Sequence, residues 1–354
     1  MARFRLPPRP LRSADFPRLA ESFLVAAVVA VLGIRAALSA TGFPRLGGGE
    51  LHIAHLLPGG ALMLVGVLLL IAFLDRRIGH VAVILAGLGF GLFIDEIGKY
   101  VTTDNDYLFQ PAIALIYVVF ILVFFLARAL AGEPTLTRAE ALANALDRVA
   151  RNVGYPFEEA DAARVRELLD QAGAEPIAAE LRRLVAAATV PDHDDPVEVV
   201  VRWARTAYVR VVEDDRFERV VTLVMAVYAG AAVVTGIQAL LPGAPAPGGG
   251  PDVTGIARAA SSLVGAAFVL RGVTLLPVNR AAACEWLMRG LLAWILVTQV
   301  FVFYASQLEG VVGLAFDLVA YVTVRYALGR ERAARRLATA PATRASHEAT
   351  AAGG

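Results

Sequence analysis

Long apolar runs separated by shorter polar segments dominate the pattern of this chain. A helix that crosses a bilayer needs about 20 mostly apolar residues. Arg35 lies inside the first of the runs, Arg271 inside the sixth and Asp317 inside the eighth. The pattern predicts an all-α polytopic membrane helical bundle of about eight spans, over roughly 21–41, 53–74, 78–98, 108–130, 218–241, 256–276, 284–306 and 310–328.

Composition narrows the class of protein further. Hydrophobic residues make up 57% of the 354 residues, and the mean hydropathy is +0.61, both too apolar for an ordinary soluble protein. A net charge of +1 provides no basic field, so nucleic acid is not an expected partner. The single cysteine, Cys284, excludes an internal disulfide framework.

The distribution of arginine orients the bundle. In an eight-span arrangement with both termini cytoplasmic, the only basic residues near the outer connections are Arg45, Lys99 and Arg258, as the positive-inside rule expects. The Arg-biased, Ala-rich composition is typical of a high-GC bacterium, which predicts the bacterial cytoplasmic (inner) membrane. The first apolar run is too long for a signal peptide and contains Arg35, so we expect it to remain as a helix.

Four segments are predicted along the chain. Residues 1–131 form a first membrane half of four spans, and 132–216 form a cytoplasmic helical domain inserted between the halves. Residues 217–330 form a second membrane half of four spans, and the Ala/Thr-rich segment 331–354 is predicted to be disordered.

The inserted segment shows helix signals but no catalytic motif. Thr137 and Glu140 predict a capping box at the start of its first helix. Further helices are predicted over about 158–172, after Pro176 and from Asp195. The segment has neither a glycine-rich phosphate loop nor a metal-ligand cluster, and in the transporter-like hypothesis it serves regulation or the docking of a protein partner.

The two membrane halves resemble one another locally. Val31–Leu38 is similar to Val234–Leu241, and Leu64–Gly66 is identical to Leu263–Gly265, each pair separated by about 200 residues. These offsets predict a 4+4 parallel repeat. The alternative is chance, since segments built from Ala, Val, Leu and Gly match one another readily.

The end of the third predicted span carries the densest group of charges. Asp95 shares a helix face with Gly87 and Gly91, so it should point into the bundle where another helix can approach closely. Glu96 follows it, and Lys99, the only lysine of the chain, lies within one turn of both. These residues are candidates for a substrate or ion site, and the alternative is a structural acidic–lysine clamp at a helix end.

Asp317 lies nearer the middle of the membrane than Asp95. An ionised carboxylate there needs a counter-charge, which Arg35 or Arg271 would supply. A structural pair and a proton or ion relay are both consistent with this placement, so Asp317, Arg35 and Arg271 are candidate substrate or ion-site residues.

A second kind of site is predicted at the outer start of the second span. His52 and His55 are spaced so that both imidazoles face one way, and Asp104 and Asp106 follow the third span. With Asp95 and Glu96, they would offer nitrogen and oxygen ligands to a divalent metal. The alternative is that the histidines are polar caps, because neither a zinc-protease nor an EF-hand motif is present.

One stretch also carries a resemblance. The run F-I-D-E-I-G-K-Y-V-T-T-D-N-D-Y, followed by P-A-I-A-L-I-Y, resembles a group of bacterial polytopic integral membrane proteins with uncharacterised activity. The resemblance is best over the second to fourth spans. It implies a membrane location and no catalytic residue.

These observations favour a transporter-like or channel-like protein in contact with the lipid bilayer, with a cytoplasmic regulatory helical domain. One alternative is a metal-dependent membrane hydrolase with an outer-face site. Another is a non-enzymatic membrane scaffold or sensor whose active part is the helical domain.

Overall fold

The computed structural model describes residues 10–41, 56–96, 111–133, 135–153, 157–173, 175–190, 206, 210, 214–240, 253–306 and 310–351, without the side chains of 38–41, 215, 239–240 and 333–351. The fold is all-α apart from two short strands that pair in parallel, β1 (Phe157–Glu158) and β2 (Thr189–Val190). The helices of the described part are α1 (Phe16–Thr41), α2 (Leu56–Ala72), α3 (Arg76–Asp95), α4 (Pro111–Ala131), α5 (Arg138–Arg151), α6 (Glu159–Ala172), α7 (Pro176–Ala188), α8 (Asp215–Leu240), α9 (Val253–Leu275), α10 (Arg280–Ser306) and α11 (Gly310–Ala351).

Seven of these helices are long and apolar enough to cross a membrane, namely α1, α3, α4, α8, α9, α10 and α11. Their length and composition are those of an integral membrane protein. The second predicted span corresponds to α2, which has 17 residues in the described part of the chain and is therefore shorter than the others. The structure thus supports seven of the eight predicted spans by length.

The chain divides into two compact units. Unit 1 comprises residues 1–109 and 118–195, and unit 2 comprises 110–117 and 196–354. Helix α4 contributes its first residues to unit 2 and the remainder to unit 1.

In unit 1, glycines let α1 lie directly against α3. A Cβ at Gly87 would overlap the carbonyl oxygen of Phe23, and a Cβ at Gly91 would overlap that of Ala27. The glycine face that the sequence predicts on α3 is therefore a contact surface for a neighbouring helix. Because both positions advance by four residues in each helix, α1 and α3 run parallel.

Helix α2 packs against another side of α3 in the opposite direction. A Cβ at Gly59 would lie 2.8 Å from the carbonyl oxygen of Gly89, and a Cβ at Gly66 would lie 2.6 Å from that of Ala82. The partner positions descend along α3 as the positions ascend along α2, so the two helices are antiparallel. Helix α2, which lies between α1 and α3 in the sequence, thus runs in the opposite direction to both.

Helices α5, α6 and α7 form a small subdomain of unit 1. The predicted capping box is confirmed, since the Thr137 hydroxyl accepts from the Glu140 backbone N–H and the Glu140 carboxylate accepts from the Thr137 N–H. The predicted helices over 158–172 and after Pro176 are also confirmed. The buried core of this subdomain is Ala145, Phe157, Ala162, Val165, Leu168, Leu169, Ala178, Leu181 and Val185.

Unit 2 is built around the antiparallel pair α9 and α10. The indole of Trp294 fills the space over Gly265, and Leu287 fills that over Gly272. Within α10, residues Trp294–Thr298 form a π-helical turn between two α-helical parts. The core also draws on α8 and α11, and its most buried large side chains are Met225, Val269, Leu287, Leu291, Trp294 and Val324.

Helix α11 continues to Ala351, through most of the segment 331–354 for which the composition predicts disorder. Alanine and arginine, which are strong helix formers, are frequent in this segment, and Pro341 is the one residue in it that disfavours a helix interior most strongly.

Candidate functional site

A cavity of about 290 Å³ lies in unit 2. Three helices line it, and its lining is mixed: a carboxylate, a carboxamide, a phenol and a hydroxyl stand beside apolar groups. The lining residues are Tyr228 from α8, Gln299, Val302 and Ser306 from α10, and Gly310, Gly313, Phe316 and Asp317 from α11.

Asp317 is the acidic member of this lining. It is only 6% exposed, and no described residue forms a hydrogen bond or an ion pair with it. It lies seven residues into α11, which places it about 10 Å along the helix axis from Gly310. Asp95, by contrast, is the last residue of α3.

The expected counter-charges of Asp317 lie elsewhere. Arg35 donates to Asp95 within unit 1. Arg271 is exposed on α9, in the turn beside Gly272, which packs on Leu287. Leu287 is twelve residues, or about 18 Å, before Gln299 on α10, so the guanidinium lies at a different level of the bundle.

Gln299 shapes the mouth of the cavity. Its side-chain Nε2 donates to the carbonyl oxygen of Gly310 at 2.7 Å, across the connection between α10 and α11. The residue is 4% exposed, so this hydrogen bond is shielded from competing solvent. The carboxamide keeps its oxygen, an acceptor, and one further N–H besides the one that binds Gly310.

The π-helical turn immediately precedes Gln299. A π turn leaves carbonyl groups outside the regular hydrogen-bond ladder, and one of them, that of Ile295, accepts from the Tyr117 hydroxyl at 2.5 Å. Tyr117 also packs on Phe303, with ring centroids 4.9 Å apart. The widened turn sets the direction in which Gln299 leaves the helix and is therefore part of the construction of the site.

Tyr228 forms the wall of the cavity on α8. Its ring meets the Trp294 indole edge to face, with centroids 4.9 Å apart, and Trp294 Nε1 donates to the carbonyl oxygen of Ser262 at 3.1 Å. The neighbouring Thr298 hydroxyl donates to Ser261 Oγ at 3.1 Å. These contacts tie the wall of the cavity to α9, so the aromatic side chain is held in place.

Unit 1 contains a different arrangement of buried charge. Arg35 Nε donates to Asp95 Oδ1 at 2.5 Å, and the two side chains are 15% and 6% exposed. Glu96 is 1% exposed at the next position. The prediction that Asp95 points into the bundle is confirmed, and its charge is compensated by an arginine from α1, which sequence spacing did not suggest.

Several predicted site residues lie outside the described part of the chain, namely Lys99, His52, His55, Asp104 and Asp106. The ion pair of Lys99 with the acidic residues and the divalent-metal site therefore stay predictions. Among the residues that the structure describes, no group of three or more His, Cys, Asp or Glu side chains could hold a metal ion.

Charged networks fasten the α5–α7 subdomain to the rest of unit 1. Arg12 donates to Glu140 at 2.8 Å and to the carbonyl oxygen of Glu133 at 2.7 Å. The hydrogen bond from Arg12, together with the Thr137 backbone N–H, holds the pKa of Glu140 well below its ordinary value. Arg12 thereby binds the N-terminal segment to the connection between α4 and α5.

A second network centres on Arg148, which is 5% exposed. Its guanidinium donates to Asp161 at 3.0 Å and to Asp15 at 3.1 Å, and Asp161 also accepts from Arg76 at 2.7 Å. Burial raises the pKa of Asp161, but the hydrogen bond from Asn152 and the charges of Arg76 and Arg148 bring it below its ordinary value. The subdomain is thus joined to the first turn of α3.

Unit 2 has its own ionic cluster at the starts of α8 and α10. Glu218 accepts from Arg280 at 2.8 Å and lies 3.8 Å from Arg330, while Arg280 lies 3.5 Å from Glu331. Arg330 is thirteen residues, or about 20 Å, beyond Asp317 on α11. The cavity and the ionic cluster therefore lie toward opposite ends of the unit 2 helices.

No family model, no curated protein and no solved structure matches this chain. We therefore infer the function from the geometry of the site.

Sequence reasoning identified Asp317 but missed most of its surroundings. Gln299 and Tyr117 are polar residues inside apolar runs, which is a signal that the sequence does carry. The π turn has no local signature, because residues 294–298 read as ordinary apolar helix.

Proposed function

We propose that the protein is a transporter-like or channel-like integral membrane protein whose unit 2 cavity binds an ion or a small cationic solute. The observation that carries the proposal is the 6% exposed Asp317, which lines the cavity and has no basic partner among the described residues. A buried carboxylate without a counter-charge is costly in a low-dielectric medium. Ionisable groups of this kind in membrane helices mark ion or substrate pathways.

The topology that accompanies this proposal has eight spans. Since α1 and α3 run parallel, the chain must cross back between them, and α2 runs antiparallel to α3 from Gly59 to Gly66. At 1.5 Å per residue, its 17 residues extend about 25 Å, close to the thickness of a bilayer core, and local thinning accommodates the difference. Both termini then share the cytoplasmic side, where the arginines are concentrated.

The packing of glycines also supports the 4+4 repeat. Gly66 lies in the hairpin α2–α3 at a point of close contact with Ala82 and Ala86, and Gly265 lies in the hairpin α9–α10 at a close contact with Trp294. Gly89 and Gly290 occupy the facing helices of the two hairpins, again about 200 residues apart. Each half thus has a hairpin that packs closely through glycines, although the registers differ, since Gly89 faces Gly59 and Gly290 faces Gly265.

Cysteine labelling tests the topology directly, because the native Cys284 is only 2% exposed and should react little. Val253→Cys and Asp170→Cys introduce thiols at exposed positions in the two predicted compartments. A membrane-impermeant maleimide added to intact cells should label the first variant, and the second only after permeabilisation. Labelling of both variants in intact cells would contradict the arrangement.

The cytoplasmic helical subdomain is the proposed regulatory part of the protein. Its connection to unit 1 runs through the Arg148–Asp161–Arg76 network, so a partner bound to the subdomain would act on the first turn of α3. The hydrolase alternative depends on His52 and His55. The scaffold alternative assigns no role to Asp317.

Charge-displacement recordings test the proposed function. The full chain, reconstituted into liposomes on a solid-supported membrane, is exposed to jumps of sodium, potassium, methylammonium or tetramethylammonium chloride. We expect a saturable current with at least one of these cations, lost in Asp317→Asn, which keeps the shape of the side chain and removes its charge.

The matched control is Glu167→Gln, which neutralises an exposed acid that has no ion pair among the described residues. This variant should give wild-type currents. Currents that are absent for every cation, or that persist unchanged in Asp317→Asn, would overturn the proposal.

A further inference from the structure

We infer that the unit 2 cavity takes a compact organic ammonium ion and that this ion enters in exchange for the proton of Asp317. The inference rests on the proposed function and adds the class of ligand and the coupling to protons. It follows from the charge balance of the cavity and from the chemistry of its walls.

The charge balance allows two states of the site. An ionised Asp317 in a buried cavity is stable only beside a positive charge, and without one the carboxyl group keeps its proton. The other lining groups do not change this balance: Tyr228 on α8 is a neutral phenol, and Gln299 and Ser306 on α10 are neutral. On α9, Arg258 is exposed and does not line the cavity.

Tyr117 on α4 has its hydroxyl proton engaged with the carbonyl oxygen of Ile295, and Tyr304 on α10 and Tyr321 on α11 are phenols that carry no positive charge. These groups therefore supply no positive charge to the cavity. A cation from outside is the only counter-charge that the described surroundings of Asp317 leave to it, and its arrival must release the proton.

The walls of the cavity indicate the class of cation. Its volume of about 290 Å³ corresponds to roughly ten water molecules, which is much larger than a bare alkali ion. Phe316 and Tyr228 offer aromatic rings, which attract organic cations through cation–π interaction, and Val302 adds an apolar contact. Methyl or methylene groups around a positive nitrogen fit such walls better than a hydrated metal ion does.

The polar atoms of the lining complete the match. The Asp317 carboxylate and the Gln299 side-chain oxygen are acceptors, and the hydroxyls of Ser306 and Tyr228 can also accept. No Lys or Arg contributes to this lining among the described residues, so no basic side chain stands in the cavity wall against a bound cation.

The exchange is balanced in charge and protons. The protonated Asp317 and the ammonium ion give the carboxylate–ammonium pair and one proton, which leaves to water. No covalent bond other than the O–H bond of the carboxyl group is broken, and the net charge of the site is unchanged. Raising the pH should therefore strengthen binding by about tenfold per pH unit while the empty site is protonated.

The experiment measures cation binding and proton release together. The full chain in detergent micelles or nanodiscs, in weakly buffered solution with a pH-indicating dye, is titrated with tetramethylammonium chloride. Binding is followed by tryptophan fluorescence, because Trp294 touches the Tyr228 wall. We expect one proton released for each cation bound, and no response to tert-butanol, a neutral molecule of similar shape.

Two variants keep the test falsifiable. Asp317→Asn should bind tetramethylammonium at least tenfold more weakly and release no proton. Phe316→Leu keeps the carboxylate and removes an aromatic ring, so it should weaken binding several-fold while proton release for each bound cation stays the same. Size-exclusion profiles and thermal unfolding establish that both variants are folded.

The outcomes separate this inference from the proposed function. Cation binding without proton release would overturn the exchange and leave the proposed ion or solute site standing. The organic ligand class would be overturned if sodium and potassium gave the same response as tetramethylammonium and Phe316→Leu bound tetramethylammonium as tightly as the native protein. No binding of tetramethylammonium would overturn the inference, and wild-type behaviour of Asp317→Asn would overturn both.

Discussion

The contact between α1 and α3 makes a quantitative prediction about Gly91. An alanine there places its Cβ 2.8 Å from the Cβ of Ala30 and against the carbonyl oxygen of Ala27. Ordinary contacts begin at 3.4 Å, so the pair of Cβ atoms alone requires the helices to separate by about 0.6 Å. The backbone of α1 cannot yield as a flexible side chain would.

The expected cost of Gly91→Ala is about 1–3 kcal/mol of unfolding free energy, typical of inserting one methyl group into a close-packed site. The helix propensity of alanine offsets part of this cost by roughly 0.5–1 kcal/mol. Gly79→Ala provides the matched control, because it lies in the same helix and its added Cβ would have nothing within 4 Å. The difference between the two variants therefore isolates the steric term.

Thermal and denaturant unfolding in one detergent, followed by circular dichroism, measures the two variants against the native protein. Gly91→Ala should be the less stable variant, and Gly79→Ala should equal or exceed the native protein. The separation of α1 from α3 should also lengthen the 2.5 Å Arg35–Asp95 contact one turn away. Equal stabilities for the two variants would refute the close packing of these helices.

Two further predictions concern the polar networks. The pKa of Asp161 lies below its ordinary value, so its charged form stabilises the subdomain fully above about pH 4, and this stabilisation is lost as the pH falls through the folded-state pKa. Amide exchange of α5–α7, corrected for intrinsic rates, should therefore rise on acidification. Asp161→Asn should flatten that pH dependence, and an unchanged profile in this variant would contradict the assignment. Tyr117→Phe removes the 2.5 Å hydrogen bond to Ile295 and should lower the free energy of unfolding in denaturant by about 0.5–1.5 kcal/mol. Tyr321→Phe, whose hydroxyl has no hydrogen bond among the described residues, should lower it little. Equal decreases for the two variants would contradict the role of the π turn.

The sequence predicts those elements whose causes are local. Long apolar runs identify the membrane helices, and the capping box at Thr137 and Glu140 depends on two residues three apart. The placement of Asp95 inside the bundle follows from its sharing a face with Gly87 and Gly91, since glycines permit close approach of another helix.

The partners of those residues are not local, and the sequence does not predict them. Arg35 and Asp95 are sixty residues apart, and Arg12 reaches Glu140 across 128 residues. The wall of the cavity depends on Tyr228 meeting Trp294, which requires the packing of α8 against the α9–α10 hairpin. The π turn interrupts the regular hydrogen bonds of α10 where this packing occurs, and the apolar sequence of the turn does not predict it.

The two buried carboxylates of the membrane helices differ in one respect that separates structure from function. Asp95 and Arg35 neutralise each other, so their pair adds specificity to the α1–α3 contact and needs no ligand. Asp317 has no such partner among the described residues, and replacing it with an apolar residue would remove a desolvation cost at no loss of a contact seen there. A buried carboxylate that lines a cavity and lacks a partner among the described residues is the feature on which the proposed binding site rests.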